Sequence, residues 1–239
     1  MRYFTKEWYN DTLIADMCFQ LRKNESASEF SEKFFERLYA VEERAYTKYC
    51  KRNARASKMP YDKNAALQEF AENYKENLEF IKANLPSEIL DDVKDERVLA
   101  LGTATHDIAM RITRFCGKKN RLCEAAEREY NNASEEADEK IGGEAARLVI
   151  TLVGAKIISL ENNGEDAILN FIPAQSLDAK ALTLKNARIR ETDRDLAEST
   201  IIKYELLMAE EGGFEFSLLT LAKDSSLLTV SYTVSELEA

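Results

Sequence analysis

The chain has 239 residues, 45% hydrophobic and 32% charged, which is enough to bury a core without disulfide or metal staples. Its net charge is −10, with 24 Lys+Arg against 28 Asp+Glu up to residue 144 and 9 against 15 beyond it. An acidic surface opposes nucleic-acid and anionic-membrane partners. No run reaches the about 18 apolar residues of a membrane span and no apolar leader opens the chain, so a cytoplasmic protein is expected.

The first helix is predicted to start after Thr5, a good N-cap. Phe4 and Tyr9 stand at hydrophobic-staple spacing, and Trp8, the single tryptophan, reads as a core anchor. A second helix is announced by Ser26 and Glu29 at capping-box spacing. Its apolar stripe is Phe30, Phe34, Leu38, Val41, Ala45 and Tyr49, and it breaks around Met59-Pro60. Asp62 caps a third helix over 62–85, with Leu67, Phe70, Tyr74, Leu78 and Ile81 on one face. Pro86-Ser87 ends it and opens a short helix over 88–93. A further helix is predicted over 95–116, stopped by Gly117, and then a separate exposed helix over 120–140.

The chemistry changes at Gly142-Gly143. Residues 148–153 and 156–160 are rich in β-branched side chains and read as strands. Asn163-Gly164 signals a hairpin, with 167–172 as the return strand. Further strands are predicted over 181–190, 200–208, 214–221 and 227–234, with Gly212-Gly213 turning one pair. Short strands joined by tight turns form an antiparallel meander. The fold class is therefore α+β: an N-terminal helical bundle (1–143) followed by a C-terminal antiparallel β-sheet or small open barrel (144–239). Whether the two regions share one core stays open.

Motifs for chemistry are scarce. His106 is the only histidine, too few for a histidine-held metal pair, and it reads as a surface or partly buried residue. Cys18, Cys50, Cys116 and Cys123 are scattered without metal-clamp spacing and read as buried thiols. Phosphate-cradling glycine loops and the nucleophile elbow are absent. No cofactor and no metal are expected.

One charge feature stands out. Arg44, Lys48, Lys51, Arg52, Arg55 and Lys58 follow one another with no acid between them, and steps of four and seven align Arg44, Lys48, Lys51 and Arg55 on one helix face. They read as a solvated face near a helix C-terminus or as an anion- or ligand-binding stripe. A second, weaker cluster is Arg111, Arg114, Lys118, Lys119 and Arg121.

Several segments also carry a resemblance. Tyr3-Phe4-Thr5-Lys6-Glu7-Trp8, Asp95-Glu96-Arg97-Val98-Leu99, Leu182-Thr183-Leu184-Lys185-Asn186, Tyr204-Glu205-Leu206 and Phe214-Glu215-Phe216 are similar to the opening, middle and closing β pattern of a family of uncharacterised bacterial proteins, a domain of unknown function. The resemblance implies a bacterial cytosolic setting and helices followed by a sheet, and it carries over no catalytic residue. The sequence thus favours a non-catalytic binding or interaction protein with a protein partner. An anion or small-ligand binder using the basic helix 44–58, and an enzyme with a non-motif active site, are the alternatives. The oligomeric state is not readable.

Overall fold

A computed structural model of the chain describes residues 1–20, 26–52, 62–192 and 196–239. Among the described residues the elements are α1 (Lys6–Gln20), α2 (Glu32–Arg52), α3 (Lys63–Asn84), α4 (Ser87–Leu90), α5 (Arg97–Ala100), α6 (His106–Ile141) and α7 (Gly143–Val149). The strands that follow are β1 (Lys156–Asn163), β2 (Asp166–Ile172), β3 (Lys180–Lys185), β4 (Arg188–Thr192), β5 (Thr200–Met208), β6 (Phe214–Leu221), β7 (Leu227–Val234) and β8 (Glu236–Glu238). The class is α+β, with an antiparallel sheet at the C-terminal end. The chain makes two compact units: Leu13–Asn120, which is helical, and Met1–Thr12 together with Arg121–Ala239, which holds the sheet. Gly142 and Gly143 lie inside the second unit, both at positive φ, where they separate α6 from α7.

In the helical unit, Ile14, Met17, Ile81, Leu85, Val98, Leu99, Ile108 and Ile112 form the core. Asp62 caps α3 as expected, its carboxylate accepting from the N–H groups of Asn64 at 2.9 Å and Ala65 at 3.1 Å. α2 begins later than the Ser26 signal, at Glu32. Ser31 accepts from Phe34 N–H at 3.4 Å, while Glu29 pairs instead with Lys94. The stripe on α2 is also displaced. Leu38 and Tyr39 are buried, whereas Val41 and Tyr49 are 44% and 56% exposed, so the second half of α2 leaves its apolar positions in solvent.

The helix predicted over 95–116 is two pieces. Thr103 donates its hydroxyl to Val98 O at 3.0 Å and Gly102 takes φ +69°, which closes α5 in a tight turn before α6 starts at His106. α6 then runs through Gly117 without a stop. A helical glycine costs only about 1 kcal/mol, and the Glu-, Ala- and Lys-rich stretch after it restores the propensity.

In the sheet unit the strand order is β4-β7-β6-β5-β1-β2-β3-β8. The expected strand at 148–153 is instead the end of α7 and a turn. Glu144-Ala145-Ala146 favours helix directly after the two glycines, and this sends Val149 and Leu152 into the sheet's core. The β1–β2 hairpin forms at the Asn163-Gly164 signal, but Asn163 pairs with Asp166, so Gly164 and Glu165 are the turn residues. Only Gly164 takes positive φ (+69°), which is the pattern of a type II′ turn.

The strand predicted over 181–190 is broken at Asn186, which takes φ +49°. β3 pairs with β8 and β4 pairs with β7, in unbroken register from Thr183↔Glu238 to Ile189↔Tyr232. These pairs are two halves of one bent ribbon, so the two ends of the strand order come together in it and the sheet curls around its core. Phe171, Leu182, Leu206, Phe216 and Val230 fill that core. The exposed edges are short: β8 has 3 residues, and β4 has 5 with a bulge between Ile189 and Glu191. A short acidic edge at β8 and a short, bulged, arginine-bearing edge at β4 resist addition of a further strand.

Candidate functional site

The predicted basic residues sit on the last turns of α2. Lys48, Lys51 and Arg52 are exposed; Arg44 turns its Nε back to Ala40 O at 2.9 Å. Arg55 and Lys58 lie outside the described residues. In the second cluster, Arg111 is engaged with Asp92 and with the carbonyl of Glu88. His106 is exposed at the start of α6. Cys116 and Cys123 are buried and Cys50 is half-buried; the side chain of Cys18 is outside the description.

The concave surface on α2 lies elsewhere. Tyr39, Glu42, Glu43 and Tyr46 line a groove of about 670 Å³, faced by Asp62, Glu69 and Phe70 from the α3 side. At about 100° per residue, these α2 positions point roughly opposite to Arg44, Lys48, Lys51 and Arg52. The concavity at the predicted site is therefore acidic and aromatic, and the basic stripe is its back.

The groove exists because large rings join the two helices. The Phe35 ring packs 5.2 Å from Phe70 and 5.3 Å from Tyr74, and Tyr39 stacks edge-on to Phe70 at 5.6 Å. At the far end Tyr39 donates its hydroxyl to Lys63 O at 3.1 Å, and Lys63 pairs with Glu43 at 3.2 Å. Ring-to-ring contact holds the two backbones apart and leaves an aromatic floor between them. A second cavity of about 340 Å³, lined by Leu38, Tyr74, Asn77, Leu101 and Gly102, shares Glu42, Phe70 and Asn73 with the first. The two make one trough. Glu42 borders both halves, whereas Glu43, Asp62 and Glu69 line only the first. Burial pushes the Tyr74 phenol up from its ordinary pKa, and Tyr74 donates to Arg97 O at 3.0 Å.

Two of the four carboxylates are engaged: Asp62 caps α3 and Glu43 holds Lys63. Glu42 and Glu69 are exposed and have no ion pair among the described residues. The sequence reading missed this surface because it followed the α2 stripe through positions 34 and 41. The legible signal was the pairing of aromatic residues at 35 and 39 with those at 70 and 74.

The sheet unit carries a smaller polar cavity of about 280 Å³. At its edge Glu205, 1% exposed, accepts from the N–H groups of Arg2 at 2.8 Å, Tyr3 at 2.7 Å and Phe4 at 2.7 Å. Glu215 bridges Arg2, at 2.9 Å, and Arg190. The buried hydroxyls of Ser217 and Ser231 bond each other at 2.8 Å. Glu205 and Glu215 are both engaged by residues of the opening segment, so the arrangement clamps that segment onto the sheet. Its sequence signal was Glu205 itself, a lone charge in the middle of an otherwise apolar strand half.

Among the described residues no group of three or more His, Cys, Asp or Glu side chains is placed to hold a metal ion, and no helix is long and apolar enough to cross a membrane. No family model, curated protein or solved structure matches the chain.

Proposed function

We propose that the chain is a non-catalytic interaction protein of the bacterial cytosol that engages a protein partner through its helical unit. The observation that carries this reading is the α2–α3 trough. It is an open aromatic surface with exposed acids on its rim, a form suited to contact rather than to bond-breaking chemistry. The sheet unit's buried carboxylate supports the same reading, because Glu205 is fully engaged by backbone N–H groups. The resemblance of the opening, middle and closing segments to bacterial cytosolic proteins supports the setting.

The test is site-specific photo-crosslinking in cells that naturally make the protein, with a photoreactive residue replacing Asn73, which borders both halves of the trough. The expected result is one reproducible protein adduct that disappears when the reactive residue is moved to Lys51 on the back of α2. An uncrosslinked chain at position 73, or equal adducts at both positions, refutes the reading.

A second reading rests on the basic stripe, where Lys48, Lys51 and Arg52 stand exposed together. Under it, saturating phosphate raises the melting temperature and Lys51→Glu removes the rise; no rise refutes it.

A further inference from the structure

The polar cavity of the sheet unit has a floor built from one lateral row of the sheet. Glu205 stands in register with Ser217, Ser217 with Ser231, and Ser231 with Glu191, so these four residues lie side by side across β5, β6, β7 and β4. All four line the cavity of about 280 Å³. Water in the liquid takes about 30 Å³ per molecule and pockets for drug-sized ligands start near 300 Å³, so this one suits a small molecule of several heavy atoms.

The row does not satisfy itself. Ser217 and Ser231 are 6% and 7% exposed and bond each other at 2.8 Å. Two hydroxyls carry two protons and that bond uses one, which leaves a buried proton without an acceptor among the described residues. Glu205 ends the row with its carboxylate taken up by three N–H groups. Glu191, at the other end, has no hydrogen bond or ion pair among the described residues. It shares the cavity with Arg190 because of the β4 bulge: Arg190 is the extra residue between Ile189 and Glu191, and a bulge re-aims a side chain so that two consecutive residues border one space. Arg190 and Arg2 each hold one oxygen of Glu215. Two guanidiniums share one carboxylate there, so that corner keeps an excess positive charge and spare N–H donors, while the Glu191 corner keeps a negative one.

We infer that this cavity binds a small zwitterion of the α-amino-acid class. Its carboxylate lies against Arg2 and Arg190 and accepts the spare serine proton, and its ammonium lies against Glu191. An anion alone leaves Glu191 opposed to it, and a cation alone is opposed by the two guanidiniums; a ligand with both signs satisfies both corners. Arg190 and Glu191 are neighbours in the chain, which favours opposite charges carried on one carbon over charges at the two ends of a long molecule. This site lies within the sheet unit and goes beyond the interaction reading of the helical unit.

The experiment is thermal melting of the full chain with each of the common L-amino acids at millimolar concentration, followed by calorimetric titration of those that raise the melting temperature. Beside each, the carboxylic acid lacking the amino group and the amine lacking the carboxyl group are titrated. The expected result is a saturable rise with at least one amino acid and binding at least about tenfold weaker for both partial analogues. Glu191→Gln breaks no hydrogen bond or ion pair among the described residues, so it should keep the parent's circular dichroism and melting temperature while weakening the amino acid by at least about tenfold. Arg190→Gln should weaken it likewise, with the Arg2–Glu215 pair left in place.

No rise with any amino acid overturns the inference and leaves the cavity to water. An acid analogue that binds as tightly as its amino acid makes this an anion site, and an amine that does so makes it a cation site; either overturns the inference. So does unchanged affinity in Glu191→Gln, which removes the ammonium's partner.

Discussion

Replacing Glu205 by alanine tests the clamp that fixes the first residues of the chain. The carboxylate accepts three successive backbone N–H groups at 2.7–2.8 Å from a site that is 1% exposed. Leaving a buried N–H unsatisfied costs about 1–3 kcal/mol, so three of them in place would cost roughly 3–9 kcal/mol. The chain has a cheaper route. Residues 1–4 can leave the sheet and hydrate their N–H groups, at the loss of Phe4 burial, about 1.5–3 kcal/mol, and of its edge-on contacts with Trp8 at 4.9 Å and Tyr130 at 4.8 Å. The smaller cost sets the outcome, so Glu205→Ala should destabilise the sheet unit by about 2–4 kcal/mol.

Glu205→Gln should fall below that. The amide oxygen can serve Tyr3 and Phe4, which share one carboxylate oxygen, and only the Arg2 N–H then meets an NH₂ group. Hydrogen exchange resolved at Arg2, Tyr3 and Phe4, with Trp8 emission during urea unfolding, reads both effects. Slow exchange at those three amides in the alanine variant, with an unchanged urea midpoint, refutes the reasoning.

Three further outcomes are expected. Gly213 has φ +77° and an added Cβ would lie 2.2 Å from Val234 O, whereas Gly212 has φ +89° and open space. Gly212→Ala should cost about 1–2 kcal/mol for its dihedral alone and Gly213→Ala clearly more, as read by urea melts; equal losses refute the overlap. The Arg97 guanidinium and the Phe30 N–H hold the Asp95 carboxyl well below the usual carboxylate range. Its folded pKa is depressed, so its stabilisation is present above its unfolded value of about 3.9 and is lost as pH falls below that toward the folded value. Asp95→Asn should flatten the acid limb of helical-unit stability measured by circular dichroism, and an unchanged limb counts against it. Phe70→Ala removes the half-buried ring that touches both Phe35 and Tyr39, and should destabilise the helical unit by about 1–2 kcal/mol in a urea melt; an unchanged midpoint would show that the rings do not hold α2 to α3.

The last strands were legible to the residue: β5, β6 and β7 begin and end where the apolar and β-branched runs between turn signals predict, whereas 181–190, which does alternate, is split at Asn186. Local signals misled where tertiary packing decides. Gly117 looks like a stop, but nothing lies within 4 Å of an added Cβ there and the helix simply continues. Val149 and Leu152 have strand-forming neighbours, yet the sheet's core takes them from a helix and its turn. The basic residues Arg44, Lys48, Lys51 and Arg52 were legible as charge, but their position behind the groove follows from which rings α3 presents to α2. The role of Glu205 is not legible in the sequence beyond a Tyr-Glu pattern, because its partners lie about two hundred positions away.

That separation bears on how the molecule is made. Arg2, Tyr3 and Phe4 close on Glu205 at sequence separations of 203, 202 and 201. At a synthesis rate of about 5–20 residues per second, the opening segment waits roughly 10–40 s for its acceptor to emerge. The helical unit, Leu13–Asn120, is complete in the meantime. Residues 2–4 are thus among the last to find their place, and Phe4 and Trp8 wait for the sheet strands they pack against. Synthesis order and assembly order run in opposite directions for this segment.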